Sequence, residues 1–287
     1  MKKNLDLSKM ASKLATSKWM LPPTNHAALV RLVDAYMTGK LTYSPLEPDM
    51  PVSIENHEEH PAEMDDTEMV DSTCVIKISG VLSKGISELE EVLLGLADVD
   101  EIMYALDKAA ADTNVKNIVL AFSSPGGETL GIEELGRRIK AIDENVKPVF
   151  GWTESQATSA AYWLLSQTRT VGMIPSSQVG GVGVYSLVLN ATGQMKADGI
   201  EVEVFSAGEY KMMGHEFRTL SDAERAIIQA DVDKQFQAFK EVVQAKRTRV
   251  NSDDLNGLSF EGRDALSKGF CDVLHDDFIE FLTETVQ

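Results

Sequence analysis

The sequence has few of the residues that mark disulfide-rich or membrane-spanning proteins. Among its 287 residues are only two cysteines, Cys74 and Cys271, which form no spacing motif. A disulfide framework is therefore excluded, and this cysteine usage is typical of a reducing compartment. No stretch approaches the roughly 18 consecutive apolar residues that a membrane span needs. We therefore expect a soluble, cytoplasmic protein without a membrane span.

Positive charge is scarce and unevenly placed. The chain has 27 Lys and Arg against 45 Asp and Glu, a formal net charge of -18. Such an excess repels phosphate backbones, so we expect no nucleic-acid partner. Residues 1–40 carry seven basic and two acidic residues, whereas residues 41–73 carry ten acidic residues and no basic one. We therefore divide the chain into a helical N-terminal extension (1–40), an acidic linker (41–73) and a main domain (74–287).

The extension contains one helical pattern. Its apolar residues Leu29, Leu32, Val33, Tyr36 and Met37 recur at helical spacing, which predicts a short amphipathic helix over 26–38. Such a helix either packs on its own domain or serves as a docking arm. The pattern does not choose between the two.

In the main domain, apolar runs alternate with helical patterns. Strands are predicted at 74–82, 117–122, 147–152, 170–174 and 201–205. Helical patterns lie between them, one of them running from a capping box at Ser87–Glu90 through Ile102 to Ala109. A further capping box, Ser221–Glu224, opens the last long helix. This alternation predicts an α/β fold with a largely parallel sheet.

Histidine is absent where a serine nucleophile would need a base. The five histidines are His26, His57, His60, His215 and His275, so none lies between residues 60 and 215. His57 and His60 lie in the acidic linker and lack the H-E-x-x-H register, so we expect no metal site. A Ser-His-Asp site would have to use His215 or His275, and neither lies in a supporting motif.

Three Gly- or Ser-rich loops follow predicted strands, at Ser124–Gly127, Ala157–Ala161 and Gly180–Val184. Strand ends are where α/β sheets place ligands, although each loop alone is weak evidence. No G-x-G-x-x-G follows the first strand, which argues against dinucleotide binding. Lys211 closes a Ser-Ala-Gly-Glu-Tyr-Lys run just after the predicted strand 201–205. It is either the base for a serine or a solvated loop lysine.

Taken together and in order, these motifs resemble the signal-peptide-peptidase A family of Ser-Lys proteases. The resemblance covers roughly residues 74–275 and is nearest to the phage capsid-assembly (prohead) protease branch. It implies a crotonase- or Clp-type spiral of ββα units, with the chain assembled into homo-oligomeric rings. It implies no cofactor and no metal.

The resemblance also implies roles for individual residues. By position, Ser159 matches the nucleophile and Lys211 the general base, whereas the N–H groups of Gly127 and Ala160 match the oxyanion hole. Glycine there lets the backbone approach a substrate closely. The implied substrate-binding loop residues are Gly126, Gly181, Val182 and Gly183.

The chain departs from the family pattern at two places. Gly181 stands where the family often has a serine that helps to orient the lysine, and Ala161 adds a methyl group near Ser159. We expect Gly181→Ser to leave activity equal or higher, unless Gly181 requires a positive φ angle.

The resemblance implies a serine endopeptidase of phage or prophage head assembly. Its partners would be protein or peptide substrates, further copies of itself, and phage scaffold, portal or capsid proteins, in the host cytoplasm or the prohead interior. Two alternatives stay open: a scaffold component of the same fold with impaired activity, and a crotonase-type acyl-CoA enzyme that needs neither Ser159 nor Lys211.

Overall fold

A computed structural model describes residues 18–20, 23–37, 67–87, 90–91 and 94–286. Residues 38–66, which include most of the predicted acidic linker, lie outside these ranges. In the described part of the chain, no helix is long and apolar enough to cross a membrane.

Among the described residues, thirteen strands and eight α-helices have defined bounds, and residues 90–91 and 94 are helical as well. The strands are β1 (Lys18–Met20), β2 (Thr67–Val70), β3 (Thr73–Ser79), β4 (Val81–Ser83), β5 (Leu96–Asp98), β6 (Asn117–Ser124), β7 (Gly127–Glu128), β8 (Val149–Thr158), β9 (Val171–Met173), β10 (Gln178–Gly180), β11 (Tyr185–Ser186), β12 (Ser259–Glu261) and β13 (Val273–Leu274). The helices are α1 (Pro23–Met37), α2 (Val99–Ala111), α3 (Ile132–Asn145), α4 (Ala160–Ser166), α5 (Thr192–Ala197), α6 (Asp222–Lys246), α7 (Gly262–Lys268) and α8 (Phe278–Phe281). A 3-10 turn at Ser252–Asp254 and a π-helical turn at Leu282–Val286 complete the list.

The strands form two sheets. The larger has the order β12-β10-β8-β6-β3-β2, with β9 paired to both β8 and β13. The smaller has the order β11-β1-β7-β4-β5. In the larger sheet, β3, β6, β8 and β10 run parallel to one another, whereas β2 and β12 are antiparallel edges. The predicted α/β class, with a largely parallel sheet, is confirmed.

The central strands are apolar on both faces because both faces are covered. From β3, Ile76 and Ile78 face the main core, which contains side chains of α2, α3 and α4. On the other face, Val75 belongs to a second cluster with Trp152 and Phe281, so the C-terminal residues cover the back of the sheet. Phe281 stacks on Trp152 with ring centroids 4.7 Å apart.

Local patterns predicted most element positions, but three expectations need correction. The predicted strand 74–82 divides at Gly80 (φ 103°), where a Cβ atom would lie 2.2 Å from the Gly95 carbonyl oxygen; β3 and β4 therefore join different sheets. The helical pattern from residue 87 to 109 is interrupted by β5 (Leu96–Asp98). Residues 201–205 form no strand and are exposed, because an alternating run becomes a strand only where a partner edge is available.

The described residues of the N-terminal extension pack on the main domain. Strand β1 pairs with β7 and with β11. The predicted helix 26–38 is confirmed as α1, and its buried residues Leu29 and Val33 form a cluster with Trp19 and Leu96. Of the two hypotheses for this helix, the contacts of its described side chains support packing on its own domain. The predicted linker also overlaps the sheet, since β2 (Thr67–Val70) pairs with β3.

Candidate active site

Ser159 lies on a sharp turn between a strand and a helix. Strand β8 ends at Thr158 and α4 begins at Ala160, so Ser159 is the residue that caps the helix. Its backbone has φ 59° and ψ -122°, a conformation that side chains with a Cβ rarely adopt. Among the described residues, Asp71 is the only other non-glycine residue with a positive φ. Such strain persists only where the surrounding structure enforces it, and it is concentrated at functional sites.

The surroundings of Ser159 hold this turn in place. The Ser159 N–H donates to the Gly180 carbonyl at 2.7 Å, and the Ser159 carbonyl accepts from the Trp163 N–H at 3.0 Å. Every residue of α4 is buried, so the helix has no room to move and relieve the strain. Because Ala160 is the first residue of α4, its N–H has no acceptor within the helix. It is available to a group that approaches Ser159.

The Pro-Gly-Gly loop lies directly against Ser159. Gly126 has φ 107°, and a Cβ atom there would lie 2.9 Å from the Ser159 Cβ. A Cβ atom at Gly127 would lie 1.9 Å from the Leu82 carbonyl oxygen, so this position also excludes a side chain. The Thr158 hydroxyl donates to the Pro125 carbonyl at 3.1 Å and ties the loop to the end of β8. The fold thus places Gly126 directly against Ser159, with Gly127 next to it in the chain.

The second glycine loop also reaches this turn. Gly181 has φ 66°, and a Cβ atom there would lie 3.2 Å from the Ser159 nitrogen. Val182 is buried in the core. A Cβ atom at Gly183 would make only an ordinary contact, 3.5 Å from the Gly257 Cα. The positive φ of Gly181 meets the stated condition under which Gly181→Ser would be harmful, so the expectation of equal or higher activity is reversed.

Lys211 lies outside the helices and strands that hold the Ser159 turn. Its side chain is exposed, in a segment without regular structure, and its N–H closes a short turn on the Gly208 carbonyl at 3.2 Å. Within the described ranges, no hydrogen bond or ion pair connects the Lys211 amine to another side chain. The neighbouring Tyr210 is exposed as well.

Neither of the two described histidines that were considered as bases contacts Ser159. His215 is exposed and lies against Phe217, with ring centroids 4.5 Å apart. His275 lies in the C-terminal segment, where its Nε2 is 3.0 Å from the Thr285 Oγ1. The ligand atoms of His275, Glu280 and Glu284 all lie within 4.8 Å of one another. His275 precedes α8, Glu280 lies within it and Glu284 follows it, so these residues belong to the C-terminal segment and not to the Ser159 turn.

Sequence reasoning missed the residue that supports α4, the helix that follows Ser159. The buried Arg247 guanidinium donates to the carbonyls of Ser166 (3.0 Å) and Thr168 and to the Asp272 carboxylate (2.5 Å). It therefore binds the carbonyls at and just beyond the C-terminal end of α4. Both Arg247 and Asp272 belong to the stretch that carries the family resemblance, but no local motif indicates that they meet.

The native thiols are unreactive by environment. Burial raises the pKa of the Cys271 thiol to about 12, and the nearby Asp272 acts in the same direction. Burial likewise raises the pKa of Cys74. Both cysteines are free and buried, so both stay protonated at neutral pH and serve as small core residues.

The fold and the site define an α/β protein whose serine stands on a strained strand-to-helix turn between two glycine loops. Residues 141–284 match the model of peptidase family S49. The chain belongs to this peptidase family.

Three relatives show the breadth of the family. The chain is 26% identical over 209 residues to the head-tail preconnector protein GP5 of Enterobacteria phage P21, covering 72% of this chain and 41% of GP5. It is 24% identical over 226 residues to the capsid assembly protease C of Escherichia phage lambda, covering 78% of this chain and 51% of the relative. Protease 4 of Haemophilus influenzae is 25% identical over 203 residues, covering 70% of this chain and 32% of the relative. The chain thus spans about half or less of the length of these relatives.

Proposed function

We propose that the chain is a serine endopeptidase in which Ser159 is the nucleophile and Lys211 the general base. The observation that carries this proposal is the strained backbone of Ser159 (φ 59°), held directly against the Gly126–Gly127 loop. A serine in that conformation costs free energy of folding, and such strained residues are concentrated at functional sites. Membership of a peptidase family agrees with peptide bonds as the target.

The chemistry follows from the geometry of the turn. Ser159 Oγ attacks the carbonyl carbon of the scissile peptide bond while its proton passes to the neutral amine of Lys211. The N–H groups of Gly127 and Ala160 stabilise the negative oxygen that forms. The protonated amine then gives its proton to the leaving amine as the C–N bond breaks. Water, activated by the same lysine, hydrolyses the acyl-enzyme and regenerates Ser159.

Lys211 has to approach Ser159 for this reaction, and we propose that self-association brings it there. The segment around Lys211 exposes several apolar side chains, Leu187, Leu189, Ile200, Val202, Val204, Phe205 and Tyr210, with Phe205 92% exposed. Large exposed apolar side chains in this number are typical of interaction surfaces. An interface that covers this segment would place Lys211 of one copy beside Ser159 of the next.

Complementation tests the shared site. Ser159→Ala and Lys211→Ala are each expected to be inactive on a peptide substrate, and an equimolar mixture, unfolded and refolded together, is expected to regain part of the activity. A mixture as inactive as its components would show that both residues must come from one chain. Light scattering reports whether oligomers form, and a monomer at micromolar concentration would contradict the interface.

The dyad itself has two independent tests. A fluorophosphonate probe is expected to label Ser159 in the wild type and not in Ser159→Ala. Lys211→Arg is expected to be as inactive as Lys211→Ala, because a guanidinium stays protonated at any working pH and cannot accept a proton. A probe that leaves Ser159 unlabelled would favour the alternative of an inactive scaffold component of the same fold.

We further propose that the substrates are proteins of a phage or prophage head. This rests on the similarity to capsid assembly protease C of phage lambda and to the head-tail preconnector protein of phage P21. The expected partners are scaffold, portal and capsid proteins, in the host cytoplasm or the prohead interior. Co-expression with phage capsid and scaffold proteins tests the proposal: cleavage should require Ser159, and intact proteins with wild-type enzyme would contradict it.

A further inference from the structure

Strand β1 is held on both of its edges beside the candidate site. Its residues pair antiparallel with β7 (Trp19 with Glu128, Met20 with Gly127) and with β11 (Lys18 with Ser186, Trp19 with Tyr185). The Thr129 N–H donates to the Lys18 carbonyl at 3.1 Å. An extended peptide that a protein captures by strand addition is bound in this way, through its main chain. Three residues from the N-terminal extension thus fill the gap between two active-site strands.

Within β1, Met20 is the residue that lies at the serine. Its partner in register is Gly127, the proposed oxyanion-hole donor. A Cβ atom on Gly126 would lie 2.2 Å from the Met20 carbonyl oxygen and 2.9 Å from the Ser159 Cβ. The carbonyl of Met20 and the side chain of Ser159 therefore face the same side of Gly126. This is where the carbonyl group of a scissile bond would have to lie.

The surrounding protein contacts the side chains of β1 as well as its backbone. Met20 is buried in the main core, and Trp19 is buried among Leu29, Val33 and Leu96. The Lys18 amine forms an ion pair with the Asp231 carboxylate of α6. The surroundings thus offer an apolar pocket at the position of Met20, a larger apolar pocket at Trp19 and an acidic partner at Lys18.

We propose that Lys18–Met20 occupies the peptide-binding cleft in the manner of a substrate, with Met20 at the position just before the scissile bond. The inference rests on the proposed function. It adds where the peptide-binding cleft lies, which residues the cleft prefers in a substrate, and that β1 competes with substrate for it. A substrate enters only when β1 leaves. The cleft then takes an apolar residue before the scissile bond, a large apolar residue preceding that one, and a basic residue at the third position.

A reversible disulfide between β1 and β11 tests the competition. Lys18 and Ser186 are direct cross-strand partners, and paired Cα atoms in antiparallel strands lie within the range that a disulfide spans. The doubly substituted Lys18→Cys/Ser186→Cys chain is expected to hydrolyse a synthetic peptide of residues 17–22 at least ~10-fold more slowly when oxidised, with recovery on reduction. The single variants are the controls, since the buried native thiols do not exchange. Equal rates in both redox states would show that β1 is a fixed part of the scaffold and overturn the proposal.

Hydrogen exchange tests occupancy without relying on catalysis. In the full chain with Ser159→Ala, the peptide of residues 17–22 at saturating concentration is expected to speed amide exchange in Lys18–Met20 and to leave β6 unchanged. The same peptide with aspartate in place of its methionine should act only at higher concentration. Unchanged exchange at millimolar peptide would overturn the proposal. Displacement of β1 by peptide in a chain whose wild type shows no turnover would support the cleft and refute the Ser-Lys mechanism.

Discussion

The N–H of Ser159 donates to the carbonyl of Gly180 at 2.7 Å, which joins the turn after β8 to the end of β10. These two strands run parallel, with Thr158 and Gly180 in register. The hydrogen bond therefore fixes the Ser159 backbone from a neighbouring strand, and that backbone has φ 59°. The strain of the serine is maintained by tertiary structure and not by the local sequence.

Replacing Ser159 by glycine or by alanine separates strain from chemistry. Both variants lack the hydroxyl and are expected to be inactive, but only glycine adopts the observed φ without a Cβ penalty. Ser159→Gly is therefore expected to have a free energy of unfolding about 1 kcal/mol higher than Ser159→Ala. Urea denaturation measures the difference. Equal stabilities would mean that the serine backbone is not strained.

Gly181→Ser is expected to lower both activity and melting temperature. Its Cβ would be forced onto a backbone with φ 66°, 3.2 Å from the Ser159 nitrogen. The destabilisation should be about 1–3 kcal/mol. Gly183→Ser is the matched control for stability alone, because a Cβ there meets only the Gly257 Cα, at 3.5 Å. Thermal unfolding of both variants and peptide cleavage by Gly181→Ser decide the matter, and an active, stable Gly181→Ser would restore the expectation drawn from the family pattern.

Arg247→Met should unfold far more easily than the wild type. The substitution leaves the Asp272 carboxylate without its buried partner and removes the donor for the carbonyls of Ser166 and Thr168. Each buried carbonyl left without its donor costs about 1–3 kcal/mol, whereas Asp272 is 32% exposed and keeps Arg249 at 3.6 Å. Arg138→Met, which removes a half-exposed pair with Asp107, should cost less than about 1 kcal/mol. Similar losses in the two variants would exclude a special role for Arg247 beneath α4.

Glu224 is expected to make the stability of the fold sensitive to acid. The Arg218 guanidinium and the Ser221 N–H donate to its carboxylate and lower its pKa to about 2. Because the folded pKa lies below the ordinary value of about 4.3, the stabilisation is complete above that value and is lost as the pH falls toward 2. Denaturant unfolding between pH 7 and pH 2.5 should show a smaller pH-dependent loss for Glu224→Gln than for wild type. If the free energy of unfolding fell equally with pH in both proteins, Glu224 would not contribute to the acid sensitivity.

Several features of the fold and the site were predictable because short stretches of sequence determine them. Pro-Gly-Gly predicts a turn at Gly126, and the Ser221–Glu224 capping box forms as its residues indicate, with the Ser221 N–H donating to the Glu224 carboxylate at 2.9 Å. The alternation of strand and helix patterns indicates the α/β class. Each of these signals depends on hydrogen bonds or periodicity within a few residues.

The tertiary structure decided what depends on distant partners. Residues 201–205 alternate like a strand yet form none, and Lys211 is exposed in the irregular segment that follows them. Conversely, Lys18–Met20 gives no strong strand signal but pairs on both sides, because β7 and β11 leave a gap of one strand. Hydrophobic periodicity determines which residues are buried, whereas pairing and strain depend on which strands the fold places next to one another. For this reason the sequence by itself established the class and the motif residues, and only the fold showed which of them meet.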